Sequence, residues 1–228
     1  VEVFHEAIKN NHIECVTFLI AVASPQSKTT ALEMAAAHGR PECVAALMTV
    51  CDPKENKSEA LWQASHSGSQ ACVELLLPVS DPQANNGQVL IAAAYKGHTN
   101  IVEMLIPYCN PKEDDSSALE EAARQGHTGC VQLLLPLSDA TAANSAALCA
   151  AAKNGHADVV RLLIPHSIPT ANNSAALAKA VEYNHCQCVE LLYAVSDPAA
   201  ALDTLFNNYV PEVSHDHPPW YDVFEQRV

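Results

Sequence analysis

Cysteine and histidine are the residues here whose chemistry comes first to mind. The 228-residue sequence holds nine Cys and eleven His, the types that ligate zinc or act as nucleophile and base. Their spacing argues against both roles. Zinc sites usually present two close Cys or His pairs, whereas the only close cysteine pair is Cys186 and Cys188. His215, Asp216 and His217 could hold a metal, but alternate residues of an extended segment point to opposite sides. No G-x-S-x-G, phosphate-cradling glycine loop or H-E-x-x-H occurs. Cys149 has no partner His on the same face of its own segment and reads as a partly buried side chain. The expectation is a chain that is not an enzyme and needs no metal or cofactor.

The period of the sequence shows what carries these side chains. Gly39, Gly68, Gly97, Gly126 and Gly155 recur every 29 residues, Asn184 continues the series, and Asn11 opens it 28 residues before Gly39. Val16, Val44, Val73, Val102, Val131, Val160 and Val189 keep the same step, as do Pro78, Pro107, Pro136 and Pro165. Residues 145–169 show one unit. Ser145 is expected to N-cap a first helix of about nine residues, with Thr29, Ser58, Ser116 and Ser174 in the same role and Gly87 a weak substitute. That helix should close at Gly155 in a left-handed conformation, which Asn also tolerates. A second helix through Val160, Leu162, Leu163 and Ile164 should stop at Pro165, which lacks a backbone donor. Ser-Asp-Pro turns at 80–82 and 196–198 lead into the next unit. Paired alanines such as Ala151 and Ala152 let the two helices of a unit approach. Cys15, Cys43, Cys72, Cys130 and Cys188 share one second-helix position with Ile101 and Val159. They are therefore expected to be buried, reduced and slow to react.

The string Ala93-Ala94-Tyr95-Lys96-Gly97-His98, followed by Val102, Met104, Leu105 and Ile106, resembles the ankyrin repeat. Ala122, Ala123, Gly126 and His127, followed by Val131, Leu133, Leu134 and Leu135, resemble it again. The resemblance covers residues 1 to about 198. Two features depart from it. The period is 29 against about 33 in the usual unit, and the Thr-Pro-Leu-His opening is replaced by Ser-x-Ala-Leu. The missing residues fall where the family has its β-hairpin finger. The implied fold is all-α: an ankyrin-type solenoid of seven helix-turn-helix units at 1–198, with reduced or absent fingers. A C-terminal capping helix over 199–209 and an aromatic tail would complete it to residue 228. The resemblance also implies that His12, His98, His127, His156 and His185 tie units together by bonding loop backbone. The turn Leu-Leu-Leu-Pro-x-Ser-Asp-Pro is similar to ankyrin proteins that intracellular bacteria secrete into host cells.

Charge narrows the partners. A net charge of −14 repels phosphate backbones, so nucleic acid is not expected. No apolar run approaches the roughly 18 residues that span a bilayer, and no secretory signal opens the chain. Val1 stands where Met would be, which suggests a piece of a longer protein. The expected location is a reducing cytosol, that of a host cell included, and the expected state a monomer.

Positions that vary between units point to binding, because packing does not dictate them. In each first helix the residue after the framework Leu and the residue four later share a face. Along the chain these are His5/Lys9, Glu33/Ala37, Trp62/His66, Ile91/Tyr95, Glu120/Arg124, Cys149/Lys153 and Ala178/Glu182. By analogy with ankyrin arrays this face lines the concave side, and Trp62, His66, Ile91, Tyr95, Glu120, Arg124 and Lys153 are the expected partner-binding residues. The function read from these features is a scaffold that binds another protein. The alternative is a substrate-targeting part of a larger enzyme. Trp220, Tyr221 and Phe224, near the end, would either dock on the last unit or begin a further domain.

Overall fold

A computed structural model of the chain describes residues 2–208. Its contacts divide the chain into two compact units, Val1–Glu113 and Asp114–Val228. The first contains α1 (Glu2–Lys9), α2 (Ile13–Val22), α3 (Pro25–Ala37), α4 (Pro41–Met48), α5 (Glu55–Ser67), α6 (Gln70–Leu76), α7 (Ala84–Lys96) and α8 (Thr99–Leu105). The second contains α9, which runs Glu113–Gln125, then α10 (Thr128–Leu134), α11 (Ala142–Lys153) and α12 (Ala157–Leu163). A 3-10 turn at Ile164–His166 leads to α13 (Ala171–Glu182), α14 (Cys186–Tyr193) and α15 (Pro198–Asn208). No strand occurs among the described residues, as the shortened period implied.

Within each unit, first helices pack on first helices: α3 on α5 and α5 on α7, then α11 on α13 and α13 on α15. The layers between them are filled by the repeating apolar positions. Leu32, Leu61 and Leu90 in one unit, and Leu119, Leu148 and Leu177 in the other, are buried, as are the residues three and four later, all alanines except Ser65 and Val181. Small residues there let helix backbones approach, which is how a core poor in aromatics reaches close packing. The first helices close as the sequence predicts. Gly68, Gly126 and Gly155 have φ of +82°, +77° and +77°, and Asn11 and Asn184 take +55° and +58°.

The helix starts differ from expectation. Ser58, Ser116, Ser145 and Ser174 do not cap their own helices, because each sits at φ near +60° as the last of three left-handed residues. The triplets are Asn56-Lys57-Ser58, Asp114-Asp115-Ser116, Ala143-Asn144-Ser145 and Asn172-Asn173-Ser174. Asn and Asp dominate them because they tolerate this region better than other side chains. The buried Ser hydroxyl instead accepts the N–H of the residue 23 positions on. Asp81, Asp139, Ile168 and Asp197 donate to Ser58, Ser116, Ser145 and Ser174 at 2.8 to 2.9 Å. The repeated serine is a tie between successive helix pairs. Gly87 keeps the left-handed backbone, at φ +64°, without the hydroxyl. Thr29 also is no cap: α3 starts a turn earlier at Pro25, capped by Ser24, whose oxygen accepts from the Ser27 N–H.

Four of the five equivalent cysteines are buried, but Cys15 is exposed. The Sγ of Cys43 lies 3.7 Å from Asn11 Oδ1 of the preceding helix pair, whereas no pair before α1–α2 is among the described residues to do the same for Cys15. At the other end, α15 runs from Pro198 to Asn208 and buries Ala201 and Leu205. Tyr209, the 215–217 His-Asp-His segment, Trp220, Tyr221 and Phe224 lie outside the described residues.

Candidate partner-binding face

The varying positions of the first helices sit in a geometry set elsewhere in the repeat. The histidine after the closing glycine reaches back to the preceding helix pair. His98 Nε2 lies 3.3 Å from the His66 carbonyl, His156 Nε2 3.0 Å from that of Arg124, and His185 Nε2 2.9 Å from that of Lys153. A carbonyl only accepts, so Nε2 carries the proton in each. In place of His, Arg40 uses Nη2 on the Lys9 carbonyl at 2.7 Å. The framework histidine thus holds the main chain of a face residue. That specific target was not visible in the sequence, which pointed only to loop backbone.

The glycine serves the same contact. A Cβ at Gly68 would sit 2.5 Å from the His98 ring, at Gly126 2.5 Å from His156, and at Gly155 2.6 Å from His185. Glycine is needed there for space as well as for its positive φ.

In the first unit, Trp62 and His66 lie one turn apart on α5 and stack, with ring centroids 4.9 Å apart and planes at 16°. Both are half-buried. Burial lowers the His66 pKa first, with the Lys96 and His98 charges adding, so the stacked imidazole favours its neutral form. Trp62 walls a groove of about 360 Å³ whose other side carries Asn85 and Gln88 of α7. Ile91 is half-buried, and Tyr95 is 41% exposed with the Lys96 ammonium 5.2 Å from its ring. Neither lines the Trp62 groove.

In the second unit, Arg124 pairs with Glu120 one turn before it on α9, and its Nε lies 3.3 Å from Glu121 without hydrogen-bond geometry. Glu120, Arg124, Cys149 and Lys153 line one groove of about 300 Å³. Lys179 also lines it, a residue the sequence reading passed over. Ala178, the residue expected on this face, is buried, and the outward position on α13 is one residue later. The signal available was that Lys179 and Tyr183 are themselves four apart. Burial, and then the Glu120 charge, raise the Cys149 thiol pKa to about 11, so this side chain is a poor nucleophile.

Comparisons with known proteins fit this geometry. A family profile described as ankyrin repeats (3 copies) matches residues 4–86, 61–144 and 136–201. The chain belongs to the ankyrin repeat family. The human ASB11 ankyrin repeat domain is similar in structure, with a TM-score of 0.62 and 20% identity over 79% of this chain and 98% of that one. The ankyrin repeat domain of Bcl-3, described as a member of the IkappaB family, gives 0.61 and 20% over 84% and 97%. None of the curated proteins compared with this ankyrin repeat protein matches it in sequence. Ankyrin repeats are protein–protein interaction modules. Among the described residues no helix is long and apolar enough to cross a membrane.

Proposed function

We propose that this ankyrin repeat protein is a non-catalytic, monomeric scaffold that captures a partner protein on the exposed faces of its first helices. The observation that carries this reading is the Trp62–His66 stack at a groove edge. Equivalent positions elsewhere hold unrelated residues, so packing does not demand an indole there. A large aromatic side chain on such a face is the usual form of an interface anchor. Ile91 and Tyr95 extend the first unit's face. Glu120, Arg124 and Lys153 belong to that of the second.

Partner capture by wild type, Trp62→Ala and Tyr95→Ala tests the reading. Truncating a central anchor should cost about 2 kcal/mol or more of binding. Folding should lose no more than about 1.5 kcal/mol, the scale of an aromatic pair. Wild-type binding by both variants, or unfolding of both, would sink the face as the interface. The Leu-Leu-Leu-Pro-x-Ser-Asp-Pro turn supports, by resemblance alone, a place of action in the cytosol of a host cell. Fractionation of infected cells checks that, and recovery only with the bacterium would count against it.

A further inference from the structure

We infer that the groove of the second unit is a docking site for an extended acidic segment of the partner protein, with a carboxylate seated between Lys153 and Lys179. This rests on the interaction reading above and names the chemistry that one face receives.

Charge is the first argument. Among the described residues of the second unit the cations are Arg124, Lys153, Arg161 and Lys179. Three of these four line the one groove, in a chain whose net charge is −14. Their engagement differs. Arg124 is neutralised by Glu120 and Glu121, and Lys179 is 2.7 Å from Glu182. Lys153 has no carboxylate within ion-pair distance among the described residues. Its ammonium lies 5.5 Å from the centre of the Tyr183 ring, and that of Lys179 lies 6.0 Å from the same ring. A cation–π contact holds an exposed ammonium only weakly. Two ammonium groups gathered on one ring attract a carboxylate placed between them.

The lining is the second argument. Several alanines, Ala146 and Ala150 among them, line the groove, so a main chain can approach without meeting a long side chain. Asn144 and Asn172 also line it, and their side-chain amides make no hydrogen bond among the described residues. An amide offers a donor and an acceptor, which is what the N–H and C=O of an extended peptide require. Glu120 at the groove and the acidic surface beyond it repel long polyanions. The arrangement therefore favours a segment with one or two carboxylates.

Fluorescence polarisation on the full chain tests this, using a rhodamine-labelled peptide of alternating Glu and Ser and a Gln–Ser peptide as neutral control. The acidic peptide should bind wild type and lose roughly tenfold in affinity when Lys153→Gln and Lys179→Gln are combined. It should weaken with salt, as the screening length falls from about 10 Å at 0.1 M to about 3 Å at 1 M. Arg161→Gln, outside the groove, should leave it unchanged. Equal binding of the neutral peptide, indifference to the double lysine substitution, or no binding at all would overturn the inference. So would displacement by inorganic phosphate at concentrations matching the peptide, which would make a free anion the ligand. If the peptide fails while Trp62-dependent capture persists, only the groove falls. If Trp62→Ala and Tyr95→Ala capture as wild type does, the face reading falls and the peptide titration is still read on its own.

Discussion

Equivalent residues meet different surroundings at the two ends of the described chain. On α1, Val3 is 66% exposed, although its counterparts Ala31 and Ala60 in the following helix pairs are buried. On α2, Cys15 is exposed where Cys43 and Cys72 are buried. On α13 the corresponding Ala176 is buried, and α15 lies against that helix, burying Ala201 and Leu205. In a repeat protein a framework residue is not apolar because it is inside. It is inside because a neighbouring pair covers it.

Thiol chemistry gives the largest contrast. Cys15 should react with a thiol reagent at once. Cys43, Cys72, Cys130 and Cys188 should wait for opening of the fold, which at about 5 kcal/mol of stability slows them more than a thousandfold. Burial raises the pKa of Cys43, Cys72 and Cys188 as well, which lowers the thiolate fraction further. Mass spectrometry of timed alkylation reads this. Equal rates at Cys15 and Cys43 would break the comparison.

Core truncation gives the next effect. Leu148 is fully buried while Phe18 on α2 is 71% exposed. Leu148→Ala should cost about 2–5 kcal/mol, and Phe18→Ala should stay within about 0.5 kcal/mol. Denaturant midpoints for the two variants measure it, and similar losses would show that α2 is packed after all.

The smallest effect concerns the tie at the covered end. Ser174→Ala leaves the Asp197 N–H without its acceptor at 2.8 Å. The expected cost is about 1–3 kcal/mol, read from the same denaturant curves together with faster amide exchange at Asp197. An unchanged midpoint would mean that water replaces the hydroxyl.

The comparison also shows which features were legible in the sequence. Periodic Gly, Val and Pro fixed the helix pairs, their closures and the absence of fingers, since each is a local backbone matter. Ser58 and its equivalents misled, because a polar residue before an apolar run has the same sequence signature whether it caps its own helix or ties the next one. Cys15 misled because coverage depends on a neighbour that the periodic position does not encode. On the candidate face, Trp62 and His66 were found together, as their spacing implied. Lys179 was missed because α13 presents its outward side one residue later than the framework Leu suggests.

The contact between glycine and histidine has a consequence for how such an array can be rebuilt. The residue closing a first helix must be small where the next pair sends an imidazole into that space, as at Gly68, Gly126 and Gly155. Lock and key therefore sit about one period apart and must be inherited together. Asn11 precedes a pair that carries Arg40 in place of His, and Gly39 meets Ser69 and no ring. The pairs that carry both the glycine and the histidine, α7–α8, α9–α10 and α11–α12, are interchangeable modules, whereas the two whose first helices close on Asn11 and Asn184 are not. A duplication that moved Asn184 ahead of a histidine-bearing pair would collide with it, so the array can lengthen by copying glycine-closed pairs but not by copying α13–α14 ahead of one.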